Sequence, residues 1–128
     1  MRVAVTGASG LIGRALCADL TADHHDVVRL VRRTPSAPDE LGWDPVSGEV
    51  DLAGLEGVDV IVHLAGAGVG DHRWTEQYKA EIRDSRVLGT TTIASAAAAL
   101  VRKPRALISA SAIGYYGDRG DERLTEAS

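Results

Sequence analysis

The chain of 128 residues contains a single cysteine, Cys17, and no apolar run approaching the roughly 20 residues that a membrane-spanning helix needs. The N-terminus also lacks the apolar segment and cleavage site of a secretory signal peptide, and is predicted to form a strand. One cysteine excludes an intrachain disulfide, so we expect a protein of the reducing cytoplasm. Cys17 falls within the first predicted helix, where we interpret it as a small helix residue rather than a nucleophile.

The chain has no excess of positive charge, with 14 lysines and arginines against 18 aspartates and glutamates and a net charge of −4. We therefore expect neither nucleic acid nor a membrane surface as a partner. Two adjacent histidines, His24 and His25, end the first predicted helix and are interpreted as surface residues, so no metal site is predicted. The apolar content of 45% is typical of a globular domain, and the composition does not indicate an oligomeric state.

A glycine-rich segment follows the first predicted strand. The apolar residues 3–5 predict a buried parallel strand, and residues 11–23 predict a helix. Between them, the sequence TGASGLIG at 6–13 has the spacing T-G-x-x-G-x-x-G. Strand, glycine turn and helix in this order predict a cradle for a pyrophosphate, because the N–H groups of the turn and the positive end of the helix face one point. The alternative is a glycine-rich turn that binds no ligand.

Each glycine has an expected role in that cradle. Gly7 permits a tight turn, Gly10 lacks the Cβ that would hold the phosphates away, and Gly13 lets the helix close on the strand. We predict that a dinucleotide contacts Thr6, Gly7, Ser9, Gly10, Leu11, Ile12 and Gly13.

Further strands are predicted at residues 26–31, 58–64 and 105–110, and one long helix at residues 74–101. Three prolines make residues 34–48 mostly loop. Residues 42–50, which begin within this loop, are predicted to form a small hairpin. One helical turn is predicted within residues 52–57. The alternation of strands and helices favours an α/β fold: a doubly wound parallel sheet of the Rossmann type, with three αβα layers and a ligand where the strand order reverses.

Several single residues carry local predictions. His24 or His25 is expected to adopt a left-handed conformation after the first helix. His63 is interpreted as a hydrogen-bonded structural histidine within its strand, and Gly89 as a bend in the long helix. That helix is predicted to pack on the sheet through residues spaced by alternate fours and threes. These residues are Val87, Thr91, Ala94, Ala98 and Val101.

The end of the second strand predicts which dinucleotide binds. An NAD-binding turn usually has an acidic residue there, about twenty residues past the glycines, but this position falls at or near Val31. Arg32 and Arg33 follow, and a guanidinium can hold the 2′-phosphate of NADP through charge-assisted hydrogen bonds. We therefore predict NADP, with NAD as the alternative cofactor. Both arginines could instead be solvated charges at a strand end.

Segments 6–13, 59–66 and 109–117 resemble the extended short-chain dehydrogenase/reductase superfamily, in its NAD-dependent epimerase/dehydratase group. The "epimerase family protein" branch of that group is indicated by the following motifs: GWDP at 42–45, HLAG at 63–66, RWT at 73–75, IRDSR at 82–86 and SASAIGYYG at 109–117. The resemblance implies that NAD or NADP binds in this half of the protein and the substrate in a C-terminal half. Many members of the wider group act on nucleotide sugars.

The resemblance also implies roles for single residues. Leu64, Ala65 and Gly66 would line the ribose and nicotinamide side of the cofactor. Ser111 matches the catalytic serine that hydrogen-bonds the reacting oxygen of the substrate, with Ser109 as the next candidate. The alternative for Ser111 is a serine in a turn.

The chain departs from the superfamily at its base, a tyrosine in Tyr-x-x-x-Lys. Tyr78 is followed four residues later by Ile82, Tyr115 by Arg119, and Tyr116 by Gly120. In the superfamily this motif and the substrate domain lie beyond the position of Ser128. We therefore expect residues 1–128 to be an NAD(P)-binding Rossmann domain, the N-terminal part of a longer protein, and to be inactive alone.

The function predicted from these observations is NADP binding within an oxidoreductase or epimerase that acts on a nucleotide sugar or a related small molecule. Two alternatives stay open. The chain could belong to a nucleotide-sensing or regulatory protein that keeps the dinucleotide fold without turnover. It could also be a structural domain that binds nothing.

Overall fold

The computed structural model describes residues 1–128, except for the side chain of Ile113. The described residues form six strands, three α-helices and one 3₁₀ turn. In chain order these are β1 (Arg2–Thr6), α1 (Leu11–Ala22), β2 (Asp26–Val31), β3 (Glu40–Asp44), β4 (Glu49–Val50), α2 (Leu52–Leu55), β5 (Val60–His63), α3 (Glu76–Ala99), β6 (Ala106–Ser109) and the 3₁₀ turn (Ile113–Tyr116).

The strands form one sheet in the order β4-β3-β2-β1-β5-β6. All neighbouring pairs are parallel except β3 and β4, which form an antiparallel hairpin at one edge. The order reverses between β1 and β5, with α1 packed on one face of the sheet and α3 on the other. The predicted doubly wound fold is therefore confirmed.

Strand β3 begins within the segment that was predicted to be mostly loop, so that part of the prediction is wrong. Glu40 to Gly42 pair in parallel with β2, and only then does the predicted hairpin to β4 begin at Trp43. Leu41 and Trp43 alternate along the strand and are buried. The flanking prolines obscure this short apolar alternation in the sequence, because they favour loop on their own account.

Helix α3 presents a different face to the sheet from the predicted one. Its buried residues are Tyr78, Gly89, Thr92, Ile93, Ala96 and Ala97, whereas the five residues predicted to pack on the sheet are exposed. Alanine occurs on every side of the C-terminal half of the helix, so alanine spacing cannot choose a face. The large side chains of Ile93 and Leu100, seven residues apart, determine which face packs on the sheet. Each is almost fully buried, which stabilises the fold by roughly 1.5–3 kcal/mol per side chain.

Two smaller predictions concern the ends of elements. His24 is left-handed, with φ of +59°, which confirms the expected end of α1. Thr75 caps α3, where its side chain accepts a hydrogen bond from the N–H of Tyr78 at 3.2 Å, so the helix begins two residues later than predicted. Within residues 1–128 as described, no helix is both long and apolar enough to cross a membrane.

Candidate functional site

The carboxyl ends of the parallel strands lie along one edge of the sheet. β1 ends at Thr6 and β5 at His63, on the two sides of the point where the strand order reverses. β2 ends at Val31 on one flank and β6 at Ser109 on the other. In doubly wound sheets a crevice for ligands opens at this position, because the helices after the two central strands leave toward opposite faces.

The glycine turn after β1 packs directly against the end of β5. Gly7 has φ of +68°, and a Cβ there would lie 2.8 Å from the carbonyl carbon of Leu64 and 2.9 Å from the nitrogen of Ala65. A Cβ on Gly13 would overlap the carbonyl oxygen of Gly7, so α1 begins in contact with the backbone of the turn. Both positions require glycine for reasons of space, and Gly7 also for its backbone conformation.

Gly10 differs from its two neighbours in the motif. Its backbone is extended, with φ of −73° and ψ of 174°, a conformation open to any residue. A Cβ there would meet only the carbonyl oxygen of Gly7, at 3.3 Å, and would otherwise point into open space. A side chain here would need that oxygen to move by a few tenths of an ångström, so the fold constrains Gly10 much less than Gly7 and Gly13. Approach of a ligand to the backbone is a further physical reason for glycine at this position.

The first turn of α1 offers unpaired donors beside Gly10. Among the described residues, the backbone N–H groups of Leu11, Ile12 and Gly13 have no acceptor, and no side chain caps the helix. The first turn also lacks an acidic residue. The side chains of Leu11 and Ile12 are exposed, so the surface around these N–H groups is apolar and open. Such a turn, at the positive end of a twelve-residue helix, suits an anion.

Thr6 lies beneath the turn and does not reach its surface. It is fully buried, and its Oγ1 accepts hydrogen bonds from the N–H groups of Leu64 at 3.1 Å and Ala65 at 3.2 Å. The same oxygen is 2.7 Å from Nδ1 of His63, which confirms the predicted hydrogen bonding of this histidine. Any contribution of Thr6 to ligand binding is thus indirect. Burial lowers the pKa of His63 below its ordinary value, which favours the neutral ring.

Helix α3 holds the segment after β5 from below. Ser85 Oγ accepts from the N–H of Ala67 at 3.0 Å, and Arg86 Nη1 donates to the carbonyl oxygen of Ala67 at 3.0 Å. Tyr78 Oη donates to the carbonyl oxygen of Gly68 at 2.5 Å. A Cβ on Gly66 would lie 3.4 Å from the Arg86 guanidinium. These contacts hold the backbone of Ala67 and Gly68, directly after Leu64, Ala65 and Gly66, the predicted nicotinamide-side residues.

These supporting residues were given no role in the sequence prediction, although Ser85 and Arg86 belong to the quoted motif IRDSR. The spacing of Tyr78 and Ser85, seven residues apart, places them on one face of α3. A polar pair of this kind near the start of a helix that packs beside a glycine-rich segment is a usable signal for such support. Trp74, just before the helix, adds another bond from its Nε1 to the carbonyl oxygen of Val69 at 2.7 Å.

The two predicted arginines have different surroundings. Both terminal nitrogens of Arg33 donate to the carboxylate of Glu40, at 2.8 and 2.5 Å, and one of them also donates to Ser36 Oγ at 2.8 Å. The Arg33 guanidinium and the N–H of Ser36 lower the pKa of Glu40 to about 2, so the buried carboxylate stays charged. Arg33 is therefore engaged in the fold.

Arg32 is exposed and makes no hydrogen bond or ion pair to any residue that the structure describes. It lines an open groove of about 820 Å³ between the β3–β4 hairpin and α3, together with Thr34, Asp44 and Ser95. Its charge adds to the backbone hydrogen bonds that lower the pKa of Asp44. Of the two arginines, Arg32 alone presents a guanidinium that a ligand could use.

Ser111 lies on the opposite flank, two residues beyond the end of β6. It is exposed, and no described residue hydrogen-bonds its side chain. Ser109, the second candidate, is also exposed and pairs in register with His63. The ends of β2 and β6 are three strand spacings apart, roughly 14 Å. The structure thus brings the glycine turn together with residues 64–66, and holds Arg32 and Ser111 on either side.

The profile of the NAD dependent epimerase/dehydratase family matches residues 3–128. The chain belongs to this family. Curated epimerase family proteins of mycobacteria resemble it as well: that of Mycobacterium leprae is 44% identical over 124 residues, which are 97% of this chain and 40% of that protein. The chain thus spans well under half the length of these relatives. The predicted membership of the extended short-chain dehydrogenase/reductase superfamily is confirmed.

Three solved structures are similar in fold and sequence. The nucleoside-diphosphate sugar epimerase of Corynebacterium glutamicum is 45% identical, with a TM-score of 0.81, over 100% of this chain and 26% of that one. Human epimerase family protein SDR39U1, solved with NADPH, is 32% identical, with a TM-score of 0.76, over 91% of this chain and 38% of that one. MoeE5, solved with UDP-glucose and NAD, is 29% identical, with a TM-score of 0.72, over 100% of this chain and 42% of that one.

Proposed function

We propose that this chain binds NADP at the carboxyl edge of its sheet, as the dinucleotide-binding domain of an epimerase or oxidoreductase that acts on a nucleotide sugar. The observation that carries the proposal is the difference among the three glycines of the turn. Two of them are required by packing, whereas packing constrains Gly10 much less, and its missing side chain leaves the free N–H groups of α1 accessible. The space that a Cβ at Gly10 would occupy is the space that a pyrophosphate needs to reach these N–H groups.

The residues that would hold the pyrophosphate are Leu11, Ile12 and Gly13, through their free backbone N–H groups, because the N–H of Gly10 already donates to the carbonyl oxygen of Gly7 at 3.0 Å. Each such bond to a charged oxygen contributes roughly 1.5–3 kcal/mol. The rigid contact between Gly7 and the end of β5 keeps these donors in place before the ligand arrives, so little ordering is needed on binding.

NADP is favoured over NAD by Arg32. Its guanidinium is free and lies just beyond β2, where a carboxylate would otherwise bind the ribose hydroxyls. The relative solved with NADPH and the one solved with NAD are both similar to this chain, so the preference rests on Arg32 itself. Arg33 is not needed for it, because its guanidinium is occupied by Glu40.

The nicotinamide side would lie along residues 64–66, beside the end of β6. When bound, the cofactor supplies hydride transfer. Ser111 would donate a hydrogen bond to a substrate oxygen, but no basic group described in the structure accepts a proton from it. Catalysis would therefore require residues from outside this chain, and we expect residues 1–128 alone to turn over no substrate.

The experiment is a thermal unfolding scan of the chain with NADP, with NAD and without ligand. A ligand that binds only the folded state raises the melting temperature, and one present at 100 times its Kd stabilises by about 2.7 kcal/mol. We expect the larger shift with NADP. An unchanged melting temperature with both dinucleotides would contradict the proposal and favour a structural domain.

A second candidate function is nucleotide sensing without turnover. The lack of a described proton acceptor near Ser111 favours it. Binding alone does not separate the two functions. The discriminating measurement is conversion of nucleotide sugars in the presence of NADP by a protein of the relatives' full length that begins with this chain, in parallel with its Ser111→Ala variant. Products are separated by chromatography as well as followed by nicotinamide absorbance, because an epimerase returns its hydride and leaves the absorbance unchanged. Binding without any product would favour the sensor.

A further inference from the structure

Four buried residues from separate parts of the sequence meet around the side chain of His63, at the end of β5. They are Thr6 of β1, Trp43 of β3, His63 of β5 and Gly89 of α3. Thr6 Oγ1 and His63 Nδ1 are 2.7 Å apart. The rings of His63 and Trp43 are perpendicular, with centroids 6.0 Å apart, and a Cβ on Gly89 would lie 3.3 Å from His63 Cε1. We call these four residues the His63 cluster.

The hydrogen bonds of Thr6 determine which nitrogen of His63 carries the proton. A threonine hydroxyl has one hydrogen to donate and two lone pairs to accept with. Thr6 Oγ1 accepts from the N–H of Ala65 and from that of Leu64, which is shared with the carbonyl oxygen of Thr6 at 3.3 Å, so we assign the hydroxyl hydrogen of Thr6 to Nδ1 of His63. Nδ1 is therefore an acceptor, and the neutral ring carries its hydrogen on Nε2.

Packing alone does not account for a histidine at this position. Nε2 is buried and has no hydrogen-bond partner in the described part of the chain. A buried donor without an acceptor is destabilising, and an aliphatic side chain in its place would avoid that cost. The cost of the unpaired Nε2 is offset by Nδ1, which accepts a hydrogen bond from the Thr6 hydroxyl and fixes its orientation.

The fixed hydroxyl sets the position of the predicted dinucleotide site. It holds the amides of Leu64 and Ala65, and the same two residues form the wall against which Gly7 packs. We propose that His63 is a positioning residue for the dinucleotide, acting through Thr6 on the glycine turn and on residues 64–66. This inference rests on the proposed function, since it concerns the same site.

The other two members of the cluster keep the imidazole in place. Gly89 lets α3 approach until its backbone faces the ring, which explains a glycine in mid-helix better than the bend predicted from the sequence. Trp43 closes the side toward β3. With the ring confined, loss of the Nδ1 acceptor leaves the Thr6 hydrogen without a partner and frees the hydroxyl to rotate away from the two amides.

The test uses substitutions that separate the acceptor from the bulk of the ring. His63→Asn places an oxygen at the δ position, where Nδ1 lies, whereas His63→Leu fills similar space without an acceptor. Thr6→Ser keeps the hydroxyl, and Thr6→Val removes it at constant shape. NADPH affinity is measured by calorimetry, and the free energy of unfolding by urea titration. The tautomer of His63 is read from nitrogen chemical shifts in the free chain.

We expect the tautomer with hydrogen on Nε2. We expect NADPH affinity to fall about tenfold in His63→Leu and in Thr6→Val, the factor given by losing one hydrogen bond of typical strength. His63→Asn and Thr6→Ser should retain most of the affinity. If His63→Leu does not fold, Thr6→Val against Thr6→Ser makes the same comparison on the partner residue.

Hydrogen on Nδ1, or parental affinity in His63→Leu and Thr6→Val, would overturn the positioning role while leaving the proposed function intact. Equal losses in His63→Asn and His63→Leu would overturn it too, because they would indicate a role for ring packing alone. If the parent chain binds neither dinucleotide, the proposed function fails and the positioning role fails with it.

Discussion

The two flanks of the strand-order reversal differ in how fully their polar side chains are engaged. On the β2 flank, Arg33 binds Glu40 through two hydrogen bonds and Arg29 binds Asp39 in the same way, which leaves Arg32 as the exposed cation beside the site. On the β6 flank, every residue of the strand is exposed and Ser111 has no described partner. Features for binding are thus preorganised in this chain, whereas features for chemistry are not.

The largest effect is expected from Gly10→Val, which should abolish binding without unfolding the chain. Valine fits the extended backbone at this position but covers the N–H groups of α1. Loss of two charge-assisted bonds, about 3–6 kcal/mol, lowers affinity by more than about a hundredfold. Calorimetric titration with NADP measures it, with Ala98→Val on the exposed face of α3 as control. Unchanged affinity for NADP in Gly10→Val would contradict the assignment of the glycine turn as the pyrophosphate site.

Arg33→Ala should reduce stability rather than cofactor preference. It leaves the Glu40 carboxylate without its main hydrogen-bond partner, so the variant should unfold at a lower urea concentration than the parent. Urea unfolding at neutral pH measures this loss of stability, and dinucleotide titration should give the NADP-to-NAD ratio of the parent. A variant that kept full stability but lost NADP selectivity would mean that Arg33, and not Arg32, contacts the phosphate.

The same ion pair predicts an acid sensitivity. The pKa of Glu40 is about 2 in the folded chain, against an ordinary value of 4.5. Because the pKa is lower in the folded chain than in the unfolded chain, the ionised Glu40 carboxylate stabilises the fold above about pH 4.5. This stabilisation is lost as the pH falls toward about 2. Glu40→Gln should flatten the fall in unfolding free energy over this interval. An identical pH dependence in parent and variant would contradict the assignment.

The smallest effect is expected from Ser111→Ala. Its side chain is exposed and has no described partner, so stability should change by less than about 0.5 kcal/mol. Affinity for NADP should also stay at the parental value. Conversion of a nucleotide sugar by this chain in the presence of NADP, abolished by the substitution, would show that the β6 flank is complete after all.

The elements that the sequence predicts well are those whose signal is local. The glycine spacing after β1 places the turn, and the long apolar strands place the centre of the sheet. The buried face of α3 was missed because alanines surround the helix, and β3 because prolines flank a short strand. The partnership of Thr6 with His63, and of Arg33 with Glu40, joins residues whose contact depends on tertiary packing or strand register, so neither was visible in the sequence.

The central claim is that the carboxyl edge binds NADP through the turn and Arg32, and calorimetric titration of parent and Arg32→Ala with NADP and NAD tests it most directly. A single charge-assisted bond supports a preference of about tenfold or more for NADP in the parent. Arg32→Ala should lose that preference while its affinity for NAD is unchanged, and the exposed Arg83→Ala should behave as the parent does. Equal affinity of the parent for both dinucleotides, or equal loss of both in Arg32→Ala, would contradict the account.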